Sequence, residues 1–167
     1  PSLFGMNILT PAVVGETVFS SSIAGSFLLA ASPQTVGERK VAVGESLWRN
    51  LSQGHMASPI IHEGHAYIHL RNQRLACIDM ETGKRTWASK PMGEHVSMVA
   101  QGDRILVLRE DGKLLLVRAN PKELEVLGEA MAGNKTWGWA HLAIAGGELF
   151  VRDLEGLTAL RWGAEAE

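Results

Sequence analysis

The chain has 167 residues, 46% hydrophobic and 20% charged, with a formal net charge of −2 at pH 7. That suffices for a sizeable packed core, and the near-balanced charge, with no long run of one sign, excludes a basic nucleic-acid surface and an electrostatic membrane anchor. One cysteine, Cys77, excludes an internal disulfide framework and an all-cysteine metal site, and no stretch approaches the ~20 apolar residues of a bilayer span.

In chain order, the opening Pro1-Ser2-Leu3-Phe4-Gly5 lacks the charged n-region and apolar core of a signal peptide. It reads as the start of a piece of a larger protein. A repeated pattern follows, in which two short apolar strands flank a Gly turn and lead through a polar turn to a third strand and an outer segment. The first copy opens at Thr10-Pro11-Ala12-Val13-Val14-Gly15, the second at Ser58-Pro59-Ile60-Ile61-His62-Glu63-Gly64. The third opens at Ser97-Met98-Val99-Ala100-Gln101-Gly102, the fourth at His141-Leu142-Ala143-Ile144-Ala145-Gly146. Aligning Pro11, Pro59, Met98 and Leu142 separates the copies by 48, 39 and 44 residues. Such spacing fits one four-stranded propeller blade of ~40–50 residues. The strands are Val-, Ile-, Leu- and Phe-rich, and Asp111-Gly112 is a hairpin turn because Gly takes positive φ without strain. Asn72-Gln73 and Glu155-Gly156 hold the same place in their copies.

The fold class expected is therefore all-β: about four β-propeller blades of four antiparallel strands, spanning 8–50, 57–89, 95–131 and 137–162 of a single segment 1–167. The first copy carries a long polar excursion from Ser32 to Gly44. Lys122 to Ala132 has helical composition, but it sits where an outer strand belongs, so a turn and then a strand is expected after Asn120-Pro121.

The second copy ends Cys77-Ile78-Asp79-Met80-Glu81-Thr82-Gly83-Lys84-Arg85-Thr86-Trp87. Asp79 can bond backbone N–H groups in the turn, Gly83 can take positive φ, and Trp87 can bury its ring against the next blade. This segment resembles the tryptophan-docking motif of quinoprotein-like (PQQ-repeat) β-propellers, Ala-x-Asp-x-x-x-Gly-x-x-x-Trp. Asp79, Thr82, Gly83 and Trp87 fall at the family positions, and Cys77 replaces the usual Ala. Leu47-Trp48 resembles the end of the first copy's motif without its Asp and Gly. The third copy ends without a tryptophan. The segment from Lys135 to His141, with the following strand to Asp153, resembles closing repeats of bacterial outer-membrane-assembly-like propellers. The resemblance implies seven or eight blades in a full ring. Four blades are then about half, completed by further blades or by a second chain.

Quinoprotein dehydrogenases of this family hold the quinone with calcium in the central funnel, beside an adjacent-cysteine disulfide in the alcohol dehydrogenases. This chain has no Cys-Cys pair and no assignable calcium ligand group, so neither PQQ nor calcium is expected here. His62, His65 and His69 are expected to be solvated: on one strand His65 and His69 lie about 13 Å apart, too far to share an ion. Cys77 is expected to be a buried, inert thiol, and Ser20-Ser21-Ser22 polar strand surface. No catalytic residue is assigned. Trp137, Trp139, His141 and Arg152 are candidates for a partner-binding face, against the competing expectation that each tryptophan packs between blades. Arg104, Arg109 and Arg152 either line a funnel or decorate strands.

The function expected is a non-catalytic binding or scaffold propeller of a bacterial periplasmic or secreted protein, with a protein or peptide partner or self-association and no nucleic acid. The alternative is part of a PQQ-dependent alcohol or sugar dehydrogenase whose catalytic residues lie outside this chain.

Overall fold

The structure is a computed structural model and describes residues 8–36, 39–132 and 138–161. It is all β. Blade 1 pairs β1 (Ala12–Val14), β2 (Thr17–Ser22) and β3 (Gly25–Ala30) with an outer strand, β6 (Ser46–Asn50). Between β3 and β6 stands a separate hairpin, β4 (Ser32–Val36) and β5 (Arg39–Val43), so the expected polar excursion is a paired two-stranded ribbon. Blade 2 runs β7 (Ile60–His62), β8 (His65–His69), β9 (Arg74–Asp79) and β10 (Arg85–Pro91). Blade 3 runs β11 (Val96–Gln101), β12 (Arg104–Arg109), β13 (Lys113–Arg118) and β14 (Glu125–Met131). Blade 4 has, among the described residues, β15 (Ala143–Ala145), β16 (Glu148–Arg152) and β17 (Leu157–Arg161).

Each blade is antiparallel, as tight turns between successive strands require. Gly64 and Gly102 take positive φ between the first two strands of their blades, and Gly112 (φ 79) does so in the Asp111-Gly112 turn. Gln73 (φ 68) does the same work in Asn72-Gln73 without glycine's freedom. Lys122 to Ala132 takes up β14 rather than helix, because pairing with β13 from Glu125 onward supplies its backbone hydrogen bonds.

The core lies between blades. Ala66, Ile68, Ala76 and Ile78 face blade 1 and pack with Phe19 and Leu28. The alternate residues Tyr67, Leu75 and Cys77 face blade 3 and pack with Ile105, Val107, Leu115 and Val117. Leu106, Leu108 and Leu114 continue the series against Leu142, Leu149 and Val151 of blade 4. Strands buried on both faces explain why these copies read as apolar runs rather than strict alternation. Each fully buried Leu, Ile or Phe side chain contributes ~1.5–3 kcal/mol.

The strand directions sort the loops. The blade-to-blade linkers 51–59 and 92–95, and the described end of the next at 138–142, share one rim with the β2–β3, β8–β9, β12–β13 and β16–β17 turns. The other turns lie on the opposite rim.

Candidate functional site

Two features stand out: the docking of one blade on the next, and the linker rim. In the docking turn, Asp79 Oδ1 accepts the Thr82 N–H at 2.8 Å, and the Gly83 N–H donates to the Asp79 carbonyl at 2.9 Å. The Thr82 N–H is the main influence holding the Asp79 carboxyl below its usual pKa. Gly83 takes φ +68 and lies under the Trp48 ring of blade 1. Trp48 Nε1–H donates to the Met80 carbonyl at 2.6 Å, and Asn50 Nδ2–H donates to the Gly83 carbonyl at 2.7 Å. The motif is therefore a seat for the preceding blade's tryptophan. Trp87 repeats the arrangement one blade on: its Nε1–H donates to the Asn120 carbonyl of blade 3 at 2.8 Å, and its ring tilts against Tyr67.

On the linker rim, rings from successive linkers meet. His55, before blade 2, stacks on His95, before blade 3, at 5.3 Å between centroids. His95 in turn meets Trp139, before blade 4, at 4.5 Å. His69, at the end of β8, meets His55 edge-on at 6.1 Å. Carbonyls hold the imidazoles in place: Glu94 O lies 3.0 Å from His55 Nδ1, and Gly93 O lies 3.1 Å from His69 Nε2. The Glu110 carboxylate accepts the backbone N–H groups of Glu94 and His95, both at 3.0 Å, and so fixes that linker. Beyond the rings, Trp139, Arg152 and Leu154 border a shallow hollow of about 240 Å³.

The comparisons point the same way as the blades. The family model described as outer membrane protein assembly factor BamB matches residues 4–89 and 43–124, two overlapping matches that start one blade apart. The chain belongs to this family. BamB from Moraxella catarrhalis superposes with a TM-score of 0.70 at 14% identity, covering 99% of this chain and 47% of that one. AztD from Citrobacter koseri gives 0.60 at 17% identity, over 95% of this chain and 44% of that one. The computationally designed Ika4 protein gives 0.62 at 10% identity, over 95% and 99% of the two chains. The BamB-family chain thus spans about half the length of the two natural structures. No curated protein matches its sequence.

Within this BamB-family segment, the motif residues Cys77, Asp79, Thr82, Gly83 and Trp87 lie around the β9–β10 hairpin. Cys77 is fully buried on β9 opposite Trp87, and burial raises its thiol pKa. Trp139 and Arg152 come together at the hollow, while His141 is exposed in the same linker. Trp137 lies outside the described residues. Trp139 does not pack as a core residue between blades: it is 65% exposed, with its ring tilted against His95 at 4.5 Å between centroids. Arg104 pairs with Asp103 at 2.5 Å and Arg109 with Asp111 at 2.8 Å, so both are tied at strand ends.

Two further expectations are corrected. His69 is not solvated but fully buried, because β8 is covered on both faces. Burial, then the adjacent His55, lowers it to about 4. Ser21 and Ser22 are buried rather than surface residues. Ser21 Oγ accepts the Gly54 N–H at 2.9 Å and shares a 2.8 Å hydrogen bond with Ser26 Oγ, clasping the first linker. The sequence reading missed His55 and His95. Their signal was periodic: each sits in a linker, one blade apart. Among the described residues no group of three or more His, Cys, Asp or Glu side chains is placed to hold a metal ion, and no helix is long and apolar enough to cross a membrane.

Proposed function

We propose that the chain is a non-catalytic binding segment of a bacterial envelope propeller that presents its linker rim to a protein or peptide partner. The observation that carries this reading is the ring row His55–His95–Trp139. It ends at a largely exposed indole beside Arg152 and Leu154, the latter 83% exposed. Aromatic and Arg side chains on a rigid support are the usual anchors of protein interfaces. The rim is rigid here because its linkers are clasped by Ser21, Ser97 and Glu110. The family match is to an assembly factor, which favours this reading over a piece of a quinone-dependent dehydrogenase. Coverage of 47% of the Moraxella BamB structure supports a second part of the proposal, that further blades, from more sequence or from a second copy, pack beside these four.

The test is site-specific photocrosslinking in a bacterial envelope fraction. A crosslinker at Leu154 or Met56 on the linker rim is expected to trap a discrete protein species. One at Glu63 or Lys84 on the opposite rim is expected to trap none. Trp139→Ser should abolish the rim product while leaving the unfolding midpoint within experimental error. Equal labelling from both rims, or turnover of alcohols or sugars after addition of PQQ and calcium, would sink the reading.

A further inference from the structure

Four rings from four segments meet on the linker rim, and three of them are imidazoles. His69 comes from the end of β8, His55 and His95 from successive linkers, and Trp139 from the linker before blade 4. The two linker imidazoles lie nearly parallel, with 21° between planes and 5.3 Å between centroids. His69 is fully buried and His95 is 8% exposed. His69 Nε2 is taken up by the Gly93 carbonyl, and its Nδ1 is buried with no hydrogen-bond partner. His69 is thus seated as a neutral imidazole. Protonated in place, it would bury a second N–H without an acceptor.

No carboxylate balances these rings. Among the described residues the only imidazole–carboxylate pair is His62 with Glu63, on the opposite rim. Charged groups on the surrounding elements are engaged elsewhere or exposed. Glu110 accepts the backbone N–H groups of Glu94 and His95, Arg109 pairs with Asp111, and Arg74 donates to the Ser89 carbonyl. The Glu94 and His141 side chains are exposed, and Arg152 and Asp153 border the hollow beyond Trp139. Arg71 borders a hollow with His55 and adds positive charge.

We propose that the four rings form an acid-operated latch: below about pH 6 protons enter the imidazole cluster, the His55–His95 stack parts, and Trp139 leaves His95 while the blades stay folded. Burial and like charge both disfavour imidazolium in the closed arrangement. One separation relieves all three imidazoles, so the protons enter together. Trp139 is the least covered of the four rings, at 65% exposed, and is the one set free. The latch holds whether or not the rim meets a partner.

The test follows the indole N–H resonance of Trp139, assigned by its loss in Trp139→Phe, together with the amides of β12 and β13. The pH runs from about 7.5 to about 5, the range in which histidine changes charge. The indole resonance is expected to shift in one step, steeper than a single-proton curve, while the strand amides stay in place. His95→Gln, neutral throughout, should abolish the step. His95→Arg, charged throughout, should give the acid position of the resonance at the neutral end. His65→Gln on the opposite rim and His141→Gln beside Trp139 should leave the step intact. If neither His95 variant folds, His55→Gln should flatten the step to single-proton steepness. A resonance constant over the range, a step unchanged in the folded His95 or His55 variants, a step lost in His141→Gln, or strand amides that move with the indole overturns the latch.

Discussion

The Trp48 ring of blade 1 lies directly on Gly83 of blade 2, so close that a Cβ at Gly83 would come within 2.6 Å of it. This glycine serves two ends: φ +68 closes the turn, and the missing side chain lets a ring from another blade approach the backbone. Gly83→Ala should cost about 3 kcal/mol, from roughly 1 kcal/mol of backbone strain and the rest from overpacking. Gly64→Ala is the control, because it has the same kind of turn (φ +72) and open space around it. It should cost only about 1 kcal/mol. Urea unfolding of both variants checks this, and equal losses would show that Trp48 contributes nothing.

Trp87 separates burial from hydrogen bonding in the same kind of contact. Its ring fills the blade 2–3 core beside Tyr67 while its N–H meets Asn120 O at 2.8 Å. Trp87→Phe keeps most of the ring and loses the hydrogen bond, at a cost of about 1 kcal/mol. Trp87→Ala loses both and should cost about 3 kcal/mol. Denaturation midpoints with unchanged m-values would confirm that the effect is local. A Phe variant as damaged as Ala would mean that the hydrogen bond, not the ring, holds the blades together.

The blades were legible because their signals are local. Gly turns between short apolar strands recur along the chain, and Cys77 to Trp87 is a contiguous motif. What turned on long-range geometry was not legible. Burial of His69 depends on blades packing over both faces of β8, which no polar-residue count reveals. Ser21 reads as surface because its partner, Gly54, lies in a linker distant in sequence. The β4–β5 hairpin looked like loop because a two-stranded ribbon inserted in one copy has no period to betray it.

The Ser21 clasp can be tested without touching the core. Ser21→Ala leaves the buried Gly54 N–H without its acceptor, while Ser26 Oγ keeps its 2.7 Å bond to Ser52 O. An orphaned buried donor costs about 1–3 kcal/mol. The loss should be concentrated at the first linker, so amide exchange should accelerate at Gly54 ahead of β8 and β12. Uniform acceleration across the blades would contradict a local clasp.

His69 makes stability depend on pH in a stated direction. The unfolded chain titrates this group near the ordinary 6.5, and the folded chain only near 4. Between those values the unfolded state binds more protons, so stability is complete above about pH 6.5 and falls as pH drops toward 4. The full difference is about 3 kcal/mol for this one group. The burial that causes it is complete, and the neighbouring His55 adds to it when protonated. Glu110 lies on the same rim, but its carboxylate is already engaged by the backbone N–H groups of Glu94 and His95. His69→Leu should therefore be less stable at pH 8, where Gly93 O loses its partner, yet flatter between pH 6.5 and 4. Guanidinium unfolding at four or five pH values measures both slopes. Parallel profiles for the two proteins would assign the acid sensitivity to some other group.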